Sequence, residues 1–117
     1  MRTIIAGSRG VTQSRFDLDI GRITWTPTVV LCGMARGVDL FGKAWAEKNG
    51  ILVEEYPADW DTLGKSAGYR RNVQMADNAD ALFAIWDGKS KGTEHMMNIA
   101  HQKGLYVMYT SADTDEE

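Results

Sequence analysis

Short apolar runs alternate with longer amphipathic stretches along the whole chain. Five apolar runs predict β-strands, at residues 3–6, 28–32, 51–56, 81–86 and 105–109. Apolar positions three or four apart predict four helices, at residues 14–24, 38–49, 68–78 and 93–103. Ser14 is the expected cap of the first helix, and residues 57–67 are expected to be irregular. The alternation predicts an α/β protein with a doubly wound, mostly parallel sheet of five strands and helices on both faces.

The loops that follow the strands carry the candidate chemistry. They are residues 7–10, 33–37, 58–66 and 87–92. Ligands of doubly wound sheets bind beyond the carboxyl ends of the strands, so we expect all four loops to converge on one cleft. Three of these loops are rich in glycine and carry an arginine or a lysine, which is more than a simple turn needs. The sequence therefore predicts a pocket for a small anion or a nucleotide.

The loop from Asp87 to Thr93 has the strongest signal. It joins a predicted strand to a predicted helix, whose unpaired amides and positive dipole end favour an anion, most often a phosphate. Gly88 and Gly92 allow close approach of a ligand, and Ser90 and Thr93 supply hydroxyl groups. The simpler interpretation is a capped turn between a strand and a helix.

Other candidates lie in the remaining loops. Arg9 and Arg71 suit bidentate phosphate recognition, with Arg71 the first choice. Asn72 could bond a ribose or a base or cap its own helix, and Trp60 could stack on a base or pack as a lid. Asp39 could accept a bond from a hydroxyl group. The expected ligand-binding set is Gly7, Ser8, Arg9, Gly33, Gly37, Asp39, Trp60, Arg71, Asn72, Gly88, Ser90, Gly92 and Thr93.

Two common nucleotide motifs are absent from the sequence. Gly-Lys-Ser occurs at residues 64–66 and 88–90, but a P-loop needs a glycine five residues earlier, where Asp59 and Phe83 stand. The first loop has two glycines, at positions 7 and 10, instead of the three of an NAD fingerprint. These departures argue against a P-loop hydrolase and a standard dinucleotide site.

Composition narrows the alternatives further. The 117 residues are enough for one domain, expected at residues 1–110 with an acidic flexible tail at 111–117. A net charge of −3 makes nucleic acid an unlikely general partner. Cys32 is the only cysteine, and His95 and His101 are too far apart for a helical metal pair, so we expect no disulfide, metal or cofactor. The sequence lacks an apolar membrane span and a leader pattern, so we expect a cytoplasmic protein.

Five motifs lie in or next to the loops that follow the strands. They are Gly7-Ser8-Arg9, Gly33-x-Ala35-x-Gly37-x-Asp39, Pro57-Ala58-x-Trp60, Ala67-Gly68-x-x-Arg71-Asn72-x-x-Met75 and Asp87-Gly88-x-Ser90-x-Gly92-Thr93-x-His95-Met96. Together they resemble the YspA-type small proteins of the SLOG superfamily, which also contains the DprA/Smf DNA-processing proteins and the LOG phosphoribohydrolases. The resemblance implies a Rossmann-like fold, a nucleotide or nucleotide-derived ligand and a homodimer.

The resemblance leaves catalysis open. LOG enzymes cleave the N-glycosidic bond of nucleoside 5′-monophosphates with an arginine, which Arg71 matches, and a glutamate, whose position falls on Met96. Glu94 is about 200° away around the helix and does not point in the same direction. The catalytic candidates are therefore Arg71, Glu94 and Asp87, with Asp39 or Asp59 as further replacement carboxylates.

Three functions remain at this stage. The first is binding, for sensing or processing, of a nucleotide or a nucleotide-derived ligand such as a nucleoside monophosphate or an ADP-ribose or NAD derivative. The second is an N-glycosidase or phosphoribohydrolase acting on such a molecule. The third, DNA binding as in DprA, is disfavoured by the acidic balance.

Overall fold

Five parallel strands form one sheet in the computed structural model, which describes residues 1–112. The strands are β1 (Arg2–Gly7), β2 (Val29–Cys32), β3 (Leu52–Glu55), β4 (Ala81–Trp86) and β5 (Tyr106–Ser111). Their spatial order is β3-β2-β1-β4-β5, and every neighbouring pair is parallel. The predicted Rossmann-like, doubly wound α/β sheet is thus confirmed. The strand order changes direction between β1 and β4, where sheets of this type have their ligand crevice.

Helices cover both faces of the sheet. They are α1 (Gln13–Ile20), α2 (Val38–Lys48), α3 (Trp60–Leu63), α4 (Ala67–Asp77) and α5 (Lys91–Gln102), with a 3₁₀ turn at Gly64–Ser66. Helices α1 and α2 pack on one face, and α4 and α5 pack on the other. The carboxyl ends of β1 and β4 therefore open between the two helical layers.

The core consists of two apolar layers separated by the sheet. Successive residues of a strand point to opposite faces, so Ile4 and Ala6 of β1 pack with the α4 and α5 layer while Ile5 packs with the α1 and α2 layer. Strand β4 is fully buried from Ala81 to Ile85. A central strand covered on both faces explains why its sequence is continuously apolar and does not alternate.

Helix α1 differs from the prediction at both ends. Thr12 is its N-cap, because the Thr12 hydroxyl accepts a hydrogen bond from the Arg15 amide at 3.2 Å, so the expected cap at Ser14 was wrong. The helix ends at Ile20, four residues before the expected Thr24. Gly21 follows, and glycine is a poor helix former.

The stretch expected to be irregular contains helix α3 and the 3₁₀ turn. Asp59 caps α3 by accepting a hydrogen bond from the Thr62 amide at 3.2 Å, and the Ser66 hydroxyl donates to the Leu63 carbonyl at 3.0 Å. The prediction of an irregular chain was therefore wrong for residues 60–67, since α4 begins at Ala67. Local capping bonds order this segment without a long apolar stripe.

The end of the described chain is packed onto the sheet. Strand β5 extends to Ser111, and Ala112 is buried with its amide donating to the Trp86 carbonyl at 2.8 Å. The expected domain end at residue 110 thus falls inside β5, and residues 113–117 of the expected acidic tail lie outside the described residues. Within residues 1–112, no helix has the length and apolar character needed to cross a membrane.

Candidate functional site

An open cleft of about 690 Å³ lies at the carboxyl ends of β1 and β4. All four predicted loops contribute to it, together with the first turns of α2, α4 and α5. Its charged side chains are three basic groups and two carboxylates, namely Arg9, Lys65, Arg71, Asp39 and Asp87. The cleft therefore holds one more basic group than acidic groups, in a chain whose net charge is −3.

The loop between β4 and α5 is held by its own first residue. The Asp87 carboxylate accepts hydrogen bonds from the Lys89 and Ser90 amides, each at 2.8 Å. The Ser8 hydroxyl accepts from the Asp87 amide at 3.1 Å and joins this loop to the one after β1. Partial burial opposes ionisation of Asp87, but the two amide bonds and Ser8 hold its pKa below the ordinary value. The loop is thus fixed around an ionised carboxylate.

The N-terminus of α5 faces the cleft. Ser90 is its N-cap, and the hydroxyl oxygens of Ser90 and Thr93 lie 3.1 Å apart. Both residues line the cleft. The first amides of a helix have no partner within the helix. A Cβ placed at Gly92 would meet no atom within 4 Å, so the glycine leaves open space at this helix end. Amides, hydroxyls and the helix dipole are therefore accessible to an anion.

Asp39 lies in the first turn of α2 and is almost fully buried. Its Oδ2 accepts a hydrogen bond from the Ala35 amide at 3.3 Å. Burial raises the pKa of Asp39 to about 6, although Arg71, the Ala35 and Gly7 amides and Arg9 all favour the charged form. A buried carboxylate with a pKa raised to about 6 thus faces the cleft.

Arg71 connects α4 to two strand ends. Its Nη1 donates to the Gly33 carbonyl after β2 and approaches the Tyr56 carbonyl after β3 at 3.5 Å. Burial lowers the pKa of Arg71, and the charge of Asp39 opposes that shift. Arg71 therefore has a structural role in addition to the ligand-binding role that the sequence predicts.

The glycine at position 37 lets two loops touch. Gly37 has a φ of 79°, which disfavours residues with a side chain. A Cβ at this position would lie 2.9 Å from the Arg9 carbonyl oxygen. The loop after β2 thereby packs directly on the backbone of the loop after β1, which brings Asp39 and Arg9 to the same cleft.

Asn72 links helices α4 and α5. Asn72 is 6% exposed. The Oδ1 atom accepts from Arg71 Nε at 3.1 Å, and Nδ2 donates to the Gly92 carbonyl at 3.2 Å. Nδ2 also lies 3.2 Å from His95 Nδ1. Asn72 thus couples α4 to the first turn of α5, a role that the sequence does not reveal.

Two aromatic rings stand at the outer wall of the cleft. Trp60 is 51% exposed and Tyr69 is 46% exposed, and both line the cleft. Trp60 Cη2 lies 3.3 Å from the position of a Cβ on Gly68, so that glycine allows the indole to approach α4. The Tyr69 ring packs on the His95 ring with centroids 4.5 Å apart. Exposed rings at a cleft suit a planar ligand group.

Most predicted site residues lie together in the cleft. The residues that line it are Gly7, Arg9, Asp39, Trp60, Arg71, Asn72, Asp87, Ser90, Gly92 and Thr93. The remaining predicted residues, Ser8, Gly33, Gly37 and Gly88, belong to the loops around it. Further lining residues outside the predicted set are Ala6, Gly10, Ala35, Lys65, Gly68, Tyr69 and Met75, of which Gly10, Ala35 and Lys65 lie in loops that were predicted to form the cleft. The spacing of 68, 71, 72 and 75 along one helix was a usable signal, since such positions share a face.

The candidate catalytic carboxylates differ in whether they line the cleft. Met96, at the position of the LOG glutamate, is 1% exposed and packs in the core with Met75. Glu94 is exposed on the first turn of α5 and lies outside the cleft lining. Asp59 caps α3 and is exposed. Asp39 and Asp87 are the carboxylates that line the cleft.

Comparison with known sequences identifies the family. Residues 1–62 match the sequence profile of the YspA, cpYpsA-related SLOG family. The chain belongs to this family. It is also 38% identical to the Gene 61 protein of Mycobacterium phage D29 over 86 residues, which cover 68% of this chain and 69% of the phage protein. No solved structure matches the chain. The matched residues include the loops after β1 and β2 and extend into the beginning of α3.

The described residues offer little to a metal ion. Within residues 1–112, no three His, Cys, Asp or Glu side chains are placed to hold one. Cys32 is buried at the end of β2, where its thiol donates to the Asp39 carbonyl at 3.2 Å, and burial raises the pKa of that thiol to about 11. A buried thiol of this kind is a poor nucleophile.

Proposed function

We propose that the cleft binds a nucleotide or a nucleotide-derived ligand, such as a nucleoside monophosphate or a derivative of ADP-ribose or NAD. One observation carries this proposal: a helix N-terminus, three basic side chains and two exposed aromatic rings line one cleft of about 690 Å³. Ligand pockets have volumes of about 300–1,000 Å³. Membership of the SLOG family is consistent with nucleotide-related binding or processing.

The ligand has a natural orientation in this cleft. The phosphate lies at the N-terminus of α5, where Ser90 and Thr93 line the cleft, and the basic Arg9 of the same cleft supplies a positive charge. The base lies against Trp60 and Tyr69 at the outer wall. Between them, Asp39 accepts a hydrogen bond from a ribose hydroxyl.

An N-glycosidase or phosphoribohydrolase is the second candidate, and Asp39 is the observation that favours it. A base working near neutral pH needs a pKa near neutrality, and burial raises the pKa of Asp39 to about 6. In such a reaction, water attacks the anomeric carbon while a carboxylate takes one of its protons. The bond from the anomeric carbon to the nucleobase nitrogen breaks, and the carboxyl group returns that proton to the departing nucleobase. Binding remains the first candidate because Met96 replaces the glutamate of the LOG pattern.

The experiment combines stability and product analysis. The purified protein is incubated with nucleoside monophosphates, NAD and ADP-ribose, and both thermal unfolding and free base are measured. A ligand at 100 times its dissociation constant stabilises the fold by about 2.7 kcal/mol. Stabilisation without release of base supports binding, and release of base supports the enzyme. If no compound stabilises the protein and no base is released, the proposal is wrong.

Two neighbouring arginines provide the matched control. Arg71 lines the cleft, whereas Arg70 is exposed and lies outside the lining. We expect Arg71→Ala to abolish the ligand-induced stabilisation and Arg70→Ala to preserve it. Since Arg71 also bonds two loop carbonyls, the unfolding midpoint of the free variant must be measured alongside.

We further propose that the protein is a cytoplasmic homodimer and that it does not bind nucleic acid. Large apolar side chains are exposed at Leu18 of α1, Leu40 of α2 and Leu52 of β3, and a second copy of the chain would cover such surface. Light scattering after gel filtration measures the mass over a range of concentrations. A monomer at every concentration contradicts the dimer, and a salt-dependent gel shift of single-stranded DNA contradicts the exclusion of nucleic acid.

A further inference from the structure

The donors and acceptors around Asn72 allow a single arrangement. Arg71 Nε always carries a hydrogen, so the Asn72 atom 3.1 Å from it must be the oxygen. The Gly92 carbonyl can only accept, so the Asn72 atom 3.2 Å from it must be the nitrogen. A flipped amide would place two donors together at Arg71 and two acceptors together at Gly92. The amide orientation is therefore fixed by its partners.

This orientation determines the state of His95. One hydrogen of Asn72 Nδ2 goes to Gly92, and the other points at His95 Nδ1, 3.2 Å away. His95 Nδ1 must then be an acceptor, which requires a neutral ring with its hydrogen on Nε2. In a protonated ring, the N–H of His95 Nδ1 would face the N–H of Asn72 Nδ2, and neither group could accept a hydrogen bond. Burial of His95 lowers its pKa, which agrees with a neutral ring.

The ring of His95 is itself held in place. It packs on the Tyr69 ring of α4, with an angle of 45° between the rings and 4.5 Å between the centroids. Tyr69 lines the cleft, and Asn72 is nearly fully buried. The acceptor therefore sits at a defined point between α4 and α5.

We infer that His95 is a positioning residue of the cleft: its neutral Nδ1 fixes Asn72, and Asn72 fixes both Arg71 and the first turn of α5. Without this acceptor, one buried N–H of Asn72 has no partner, which costs more than the lost bond itself. Asn72 then turns, and Arg71 and Gly92 lose a shared anchor. The link through Asn72 between the arginine and the helix N-terminus is then lost, and Arg71 is held by its contacts with the Gly33 and Tyr56 carbonyls.

The first test needs no ligand. Nitrogen-15 NMR of the histidine rings distinguishes the two neutral tautomers, and His101, exposed on the same helix, supplies an internal reference. We expect His95 to show an unprotonated Nδ1 and a protonated Nε2 at neutral pH, with a slowly exchanging Arg71 Nε–H. A hydrogen on His95 Nδ1 overturns the inference.

A pair of variants separates positioning from packing. In His95→Asn, the amide oxygen occupies the same place along the side chain as Nδ1 and can still accept from Asn72. In His95→Leu, the volume is roughly kept and the acceptor is lost. We expect the Arg71 Nε–H signal to survive in the Asn variant and to shift and exchange rapidly in the Leu variant. His101→Leu is the control and leaves the signal unchanged. Equal loss in both His95 variants, or loss in neither, contradicts the positioning role.

A binding measurement is the third test. It rests on the proposed nucleotide function and uses adenosine 5′-monophosphate as the probe. We expect its affinity to fall about tenfold in His95→Leu, as for a buried donor left unpaired, and to stay near the wild-type value in His95→Asn. If the wild-type protein does not bind this probe, the nucleotide proposal fails for it, while the tautomer and the Arg71 signal still decide the role of His95.

Discussion

The Asp39 carboxylate and the Arg71 guanidinium both lie against Gly33. A Cβ on Gly33 would lie 2.7 Å from Asp39 Oδ2 and 2.9 Å from Arg71 Nη1. The carboxylate and the guanidinium therefore share the space that a side chain at this position would take. Each charge favours the ionised form of the other, against the burial that both experience.

Gly33→Ala is expected to separate this pair. The methyl group must push aside either the carboxylate or the guanidinium, and overpacking of this kind costs roughly 1–3 kcal/mol. We expect a lower free energy of unfolding in urea and weaker nucleotide binding. Gly21→Ala is the control, since a Cβ there meets one backbone oxygen at 3.4 Å, far from the cleft. A Gly33→Ala protein as stable as that control contradicts the packing.

The raised pKa of Asp39 predicts the direction of a pH effect. The folded protein holds this proton up to about pH 6, whereas the ordinary value is 3.8. The folded state thus binds more protons than the unfolded state between these values, so the Asp39 contribution to stability falls as pH rises through that range. Above pH 6, the ionised, buried group is a constant cost.

Asp39→Asn removes this titration. We expect the free energy of unfolding of the variant, minus that of the wild type, to increase by roughly 1–3 kcal/mol from pH 4 to pH 6.5 and then to level off. Urea unfolding at a series of pH values measures the difference. A difference that does not change with pH would show that Asp39 titrates at its ordinary value.

The sequence predicts the sheet well because its signals are local. The continuous apolar run of β4 and the glycines in the loops after β1, β2 and β4 are visible in any short window, and parallel topology then places the loops at one edge. The Asn72 contacts with Gly92 and His95 join residues 20 and 23 positions apart. No periodicity encodes such a pairing, so the sequence left Asn72 between a ligand contact and a helix cap.

Met96 is a second example of a feature that the sequence alone does not determine. Its alignment with the LOG glutamate shows that a carboxylate is missing, but only the packing shows that the side chain belongs to the core and not to the cleft. Helix α3 was missed for a related reason. It depends on capping by Asp59 and not on an apolar stripe.

Gly92→Ala tests whether the N-terminus of α5 receives the ligand. The added methyl group meets no protein atom within 4 Å, and alanine favours a helix more than glycine does. We therefore expect unchanged or slightly raised thermal stability in the free protein. Binding of adenosine 5′-monophosphate, measured by calorimetry, should fall at least about tenfold, since the methyl group occupies space at the phosphate site. Gly21→Ala, outside the cleft lining, is the matched glycine control. Unchanged affinity in Gly92→Ala places the phosphate elsewhere.

Trp60 offers a direct optical report on the position of the base. A base stacked on its exposed indole should quench tryptophan fluorescence when adenosine 5′-monophosphate is added. Trp60→Phe removes the fluorophore but keeps an aromatic surface, so we expect the signal change to disappear while the affinity falls only a few fold. Trp45→Phe is the matched control, because Trp45 of α2 lines a separate groove with Trp25 and Ile51 and not the cleft. Quenching that persists in Trp60→Phe and disappears in Trp45→Phe would move the base away from the Trp60 wall. Quenching that persists in both would point to a tryptophan other than these two.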